Sequence, residues 1–272
     1  MAHHRPKKSK TRPRPRAATP PGPSIVRVSA LLFDPKDRQL VVFTDDMLIN
    51  QLRREGPKIE ASFDRLCETD LTQLSAFLSK SSSLLFSGLK SASRKDDELR
   101  VCCAQLLLNA CNSFAVAVAV LRMGYVLQPG IVVRSLLEAV STALHLIQKP
   151  ADLRAYQRHE LQSPKTMAAA KQALPMFGQL YGYFSDNFAH IGHLHKSVTP
   201  IREYTERHAA LDVNMSFLRI AAWLVYVTSE LVFNKIIDEP RYWHPVENGY
   251  RYDPSPSERD WMKAYFNLAD AA

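Results

Sequence analysis

Glycine is scarce in this chain, at nine of 272 residues. So few glycines leave little material for the tight turns of a many-stranded β fold and favour helices. Cysteine is scarcer: Cys67, Cys102, Cys103 and Cys111 are four, with no C-x-x-C pair among them. All sit in apolar, helix-like surroundings, which suits reduced, buried thiols in a reducing, cytoplasmic compartment and argues against a disulfide framework. Acidic residues are missing before Asp34. The basic stretch there runs into prolines, not into an apolar segment, so no secretory signal is expected.

What is present is unevenly placed. The net charge is +8, yet Arg5, Lys7, Lys8, Lys10, Arg12, Arg14, Arg16 and Arg27 all precede the first acid. Taking those eight from 35 basic residues leaves 27 against 27 acidic ones, so the body is neutral. Six of the 17 prolines also fall within residues 1–24. A Pro- and Arg/Lys-rich segment without apolar anchors cannot offset its chain entropy, so residues 1–24 read as a disordered basic tail. Its residues Arg5, Lys7, Lys8, Lys10, Arg12, Arg14 and Arg16 are candidate contacts to nucleic acid, non-specific and salt-dependent. A solubilising extension, or translation from an upstream start, explains the same composition.

Apolar residues make up 46% of the chain, enough for a large core. The periodicity predicts an all-α, multi-helix bundle. Residues 25–56 form a lead-in segment in which 25–43 read as a short β-hairpin or an irregular strap. A short helix is expected from Asp45 to Arg54, stopped by Gly56-Pro57. The bundle proper is expected over 57–237. In its first helix Ile59, Phe63, Leu66, Cys67, Leu74, Phe77 and Leu78 share a face, and Ser79–Ser83 should interrupt it. Helices follow over about 96–123, 131–148 and 211–237, with short ones between Pro150, Pro164 and Pro175. Residues 101–121 carry no charge and are long enough to span a bilayer. Gln105, Asn109, Asn112 and Ser113 gather on one stripe of that helix, and Arg219 and Glu230 interrupt the later apolar one, so no membrane span is expected. Residues 238–272 should be irregular up to an amphipathic helix capped by Ser257 and carrying Trp261, Tyr265, Phe266 and Leu268.

Two constellations could carry chemistry. Arg134 and Glu138 stand four apart on an apolar helix, with Ser141 and His145 continuing their face. Buried charges need partners, so a closed ion-pair network or a polar pocket is expected there. The second holds Tyr181, Ser185, Asp186, Asn187, His190, His193 and His195. It lacks the Gly-x-Ser-x-Gly elbow of a serine hydrolase, and His190, His193 and His195 cannot all converge on a metal from one regular helix, although a loop after Gly192 would allow it. No metal or other cofactor is expected.

Arg134-Ser-Leu-Leu-Glu138-Ala, followed by Tyr181-x3-Ser185-x4-His190, resembles an uncharacterised family of all-helical prokaryotic proteins, similar to abortive-infection and HEPN-type bundles. The resemblance covers about residues 55–237. It implies a bundle in which Arg134, Glu138, Ser185 and His190 face one another, and it brings no established reaction. HEPN ribonucleases place a His a few residues after an Arg. Arg154 with His159 and Arg202 with His208 meet that spacing, but about two such pairs arise by chance in this composition. Three readings follow: a defence- or stress-associated protein that binds a partner or acts as a toxin-like module, a metal-independent ribonuclease with Arg134 and His190 in its site, or a structural interaction domain. Self-association is compatible with each.

Overall fold

The computed structural model describes residues 27–35, 38–174, 176–190, 192–196, 199–247 and 249–266. The chain divides into two compact units, residues 1–51 and 52–272. Within the first, β1 (Val28–Asp34) and β2 (Gln39–Thr44) pair antiparallel, with Leu31 opposite Val42 and Phe33 opposite Leu40. The hairpin alternative is thus the one realised. Arg38 takes a positive φ of 52° in its turn. A short helix, α1 (Met47–Asn50), follows, and Asn50 donates its side-chain amide to Asp46.

The second unit is a helical bundle. A π-helical turn, Gln51–Glu55, runs directly into α2 (Gly56–Arg94). The expected stop at Gly56-Pro57 does not occur: helical backbone continues through it, with a π-helical turn placed immediately before the proline. The expected break at Ser79–Ser83 is also absent. Ser81 is buried there and donates its hydroxyl to the Phe77 carbonyl. The interruption lies earlier, at Cys67, where φ −113° and ψ 17° leave the helical region. Besides Ser62, the buried positions on α2 are Gly56, Ile59, Phe63, Cys67, Asp70, Leu74, Phe77, Ser81, Leu85, Gly88 and Ala92. Their spacing of three and four keeps one face on the core for the whole helix.

That face packs on α3 (Glu98–Arg122) and α8 (Ala209–Val232), and both of these pack in turn on α4 (Gln128–Gln148), so that α3, α4 and α8 form the centre of the bundle. Asp97 caps α3 by accepting the Arg100 backbone N–H at 3.1 Å. Gln105, Asn109 and Asn112 lie on its exposed side, as their stripe predicts. Between α4 and α8 come α5 (Leu153–Gln157), α6 (Ser163–Ala173) and α7 (Phe177–Phe184), the last passing into a π-helical turn at Ser185–Ala189. Gly130 lets this turn approach α4, since a Cβ there would meet the Phe188 ring at 2.2 Å. Helices α3, α4 and α8 are long and apolar enough to cross a membrane. In the most apolar stretch of α8, 78% of the residues are buried within the fold.

The segment after α8 is more ordered than its prolines suggest. β3 (Trp243–Val246) and β4 (Gly249–Tyr252) form a second hairpin, turned at Gly249 with a φ of 134° that side-chain-bearing residues rarely adopt. Glu230 on α8 secures it. One carboxylate oxygen accepts the backbone N–H groups of Tyr242 at 2.7 Å and Trp243 at 3.0 Å. The Trp243 indole donates to the Val227 carbonyl. The last described element is α9 (Pro256–Phe266). Its cap is Ser255, whose hydroxyl accepts the Glu258 N–H, in place of the expected Ser257. Tyr242, Trp243, Tyr265 and Phe266 all join the bundle core, whereas Leu268 lies outside the described residues.

Glu230 is fully buried, and its second carboxylate oxygen has no partner among the described residues. Burial pushes its pKa above the usual carboxylate range, against the opposing pull of the backbone N–H groups. A carboxyl raised on folding favours the folded state while protonated. That advantage is complete below the ordinary Glu pKa and is lost as pH rises through the folded-state value. Urea unfolding should therefore show stability declining above the ordinary Glu range. Glu230→Gln, which keeps the accepting oxygen and removes the ionisation, should flatten that decline. An unchanged pH profile in the variant would refute the assignment.

Candidate functional site

The Arg134 constellation is assembled, but in a different manner from that expected. Arg134 and Glu138 are 3.2 Å apart on α4. The Arg134 guanidinium donates to the Tyr181 hydroxyl at 3.0 Å, and that hydroxyl donates to Glu138 at 3.3 Å. The guanidinium also lies 5.4 Å from the centre of the Tyr181 ring. The side chains of Arg134 and Glu138 are 32% and 36% exposed, so the network is not buried. The reason is position: both flank the edge of α4 that bears exposed Ile131 and Ser135.

The remaining members of that stripe belong elsewhere. Ser141 is buried against the Thr166 hydroxyl at 3.2 Å, and His145 meets Asp152 at 2.7 Å. Ser185 opens the π-helical turn half-buried, and His190 is exposed beyond it. No hydrogen bond among the described residues joins Ser185 or His190 to Arg134 or Glu138. His195 accepts the Gly192 N–H, which leaves it as a local turn contact. The His193 side chain and Arg5, Lys7, Lys8, Lys10, Arg12, Arg14 and Arg16 lie outside the described residues. No cluster of His, Cys, Asp and Glu suited to a metal occurs among the described residues. Of the Arg-then-His pairs, Arg154 is engaged with Gln157 and Glu98, while His208 caps α8 through its Nδ1.

A different cleft has the stronger chemistry. Asp70 sits on the apolar face of α2, one turn after the Cys67 irregularity, with its side chain only 6% exposed. One of its oxygens accepts from Arg207 at 2.6 Å and the other from Arg219. Arg207 reaches it from the strap before α8. Tyr204 fixes that strap, its backbone N–H donating to Ser62 and its hydroxyl to the Leu121 carbonyl. Arg207 also donates to Asp212 at 2.7 Å. Burial works against the charge of Arg207, but the bonds to Asp70 and Asp212 outweigh it and hold its pKa up.

This Arg–Asp–Arg clamp floors a cleft of about 790 Å³, within the range of ligand pockets. Lys80 lines it from α2, and Trp261 and Tyr265 line it from α9. These two lie four apart on one helix face, so their rings stack at 4.7 Å and 13°. Phe77 lies almost parallel to both. Two donors beneath the cleft, Arg219 Nε and the Tyr265 hydroxyl, are buried without a partner among the described residues. Burial pushes the Tyr265 phenol well up, which keeps it an O–H donor. Comparison with protein-family models, with curated proteins and with solved structures returns no match for this chain.

Sequence reasoning located Arg219, Trp261 and Tyr265 but assigned them to packing. Asp70 carried a usable signal, an acid in register with Phe63, Cys67, Leu74 and Phe77 on a core face. Arg207 carried none, because its partner is 137 residues away. The two polar clusters should differ sharply in energy. Asp70→Ala leaves a largely buried guanidinium uncompensated and should cost about 3–5 kcal/mol. The Arg134–Glu138 pair is a third exposed and screened, so its coupling in a double-mutant cycle should be below about 1 kcal/mol. Urea unfolding of the single and double variants measures both. The reverse order would mean that the α4 network is the structural one.

Proposed function

We propose that the chain is a binding protein whose ligand is a small, acceptor-rich anion held in the cleft between α2, α9 and the Arg207–Arg219 region. The observation that carries this is a surplus of donors. Asp70 and Asp212 engage Arg207, and Asp70 engages Arg219, yet Lys80 has no ion pair among the described residues and the Arg207 guanidinium is 38% exposed in the same cleft. Charged donors make the strongest hydrogen bonds to an anion. Arg134, Glu138 and Tyr181 then serve to join α7 to α4, with Ser185 and His190 outside the ligand's reach. This is the binding arm of the three sequence readings.

Inorganic phosphate is the simplest probe. The melting temperature of the full chain should rise saturably with phosphate beyond the effect of chloride at equal ionic strength, as mass action requires. Lys80 is exposed, so Lys80→Ala should fold normally and weaken the response at least fivefold. His190→Ala should leave it unchanged. Equal phosphate responses in the wild type and Lys80→Ala, or a response lost only in His190→Ala, would refute this reading.

A further inference from the structure

Resting on that reading, we infer that the anion is the phosphate of a nucleoside monophosphate, whose base lies against Trp261. The cleft joins two features that a bare anion site does not need. One is its charge. Lys80, Arg207 and Arg219 face Asp70 and Asp212, one cation in excess. That suits a single phosphate monoester, which carries about −1.5 to −2 at neutral pH. Tracking a nucleic-acid strand calls for a groove with many cations.

The other feature is the wall. Phe77, Trp261 and Tyr265 stack as three nearly parallel rings, with centroid separations of 5.5, 5.4 and 4.7 Å. Phe77 and Tyr265 are buried, but Trp261 is 37% exposed and lines the cleft. A rigid, partly exposed indole is a platform for a flat, π-rich group. Gln73, one turn from both Asp70 and Phe77 on α2, lines the same space with an exposed amide that can donate to and accept from a base edge. The exposed Lys80 ammonium and the Arg207 guanidinium, 38% exposed, are left to meet phosphate oxygens at the rim. Planar body and anionic head thus have separate, adjoining recognition surfaces, as a mononucleotide requires.

Tryptophan fluorescence and calorimetry on the full chain test this. Trp223 and Trp243 are buried, so a change in emission on adding ligand reports Trp261. With 5′-AMP and ribose 5-phosphate as probes, AMP should bind about tenfold or more tighter, the usual gain from stacking one base. AMP alone should quench the emission. Trp261→Leu should bring AMP down to the affinity of ribose 5-phosphate and leave ribose 5-phosphate unaffected. If that variant does not fold, selective quenching of the wild type by AMP decides the question. Equal binding of both probes, abolished by Lys80→Ala and without quenching, would overturn the nucleotide assignment and leave the anion site standing. No binding of either at millimolar concentration would overturn both. A single-stranded oligonucleotide that binds tighter than AMP would overturn the mononucleotide in favour of a strand.

Discussion

A single carboxylate on the core face of α2 constrains much of this bundle. Asp70 is largely buried and cannot be solvated by water, so two cations from distant stretches of chain must come to it. Arg207 and Arg219 lie 137 and 149 residues beyond it. Their convergence fixes the strap before α8, the register of α8 against α2 and the floor of the cleft. The Tyr204 bonds to Ser62 and Leu121 hold the same strap from its other end. Apolar packing alone tolerates sliding of one helix along another, whereas a carboxylate shared by two guanidiniums has one geometry.

The helical architecture was legible because it rests on local repetition. The spacing from Ile59 to Phe77 marks one buried face of α2, and Gln105, Asn109 and Asn112 mark the exposed side of α3. The punctuation was read less well. Gly56-Pro57 and Ser79–Ser83 look like breaks, yet a π-helical turn leads the backbone into the proline and a buried serine can satisfy itself on the carbonyl four residues before it. The β3–β4 hairpin was hidden behind its prolines. It depends on the buried carboxylate of Glu230, twelve residues before Tyr242, and no local pattern announces that contact.

The site was legible only in part, for the same reason. Arg134, Glu138 and Tyr181 do meet, but their exposure follows from which edge of α4 the neighbouring helices leave open. That is a property of packing. Ser185 and His190 were placed by assuming a helix that continues regularly. The π-helical turn at Ser185–Ala189 ends the helix, and His190 enters an extended conformation with ψ of 147°. In the cleft, the residues of α9 looked like ordinary packing because their role depends on charges far away in sequence.

The order of synthesis gives the Glu230 contact a further meaning. Asp70, Arg207 and Arg219 all precede the β3–β4 hairpin in the chain, so the clamp needs nothing that is synthesised after α8. The aromatic wall comes later: Trp261 and Tyr265 lie beyond the hairpin that Glu230 anchors. That wall stands only once the hairpin and α9 have docked on the bundle. Detaching α9 would leave the ionic floor intact and no platform above it.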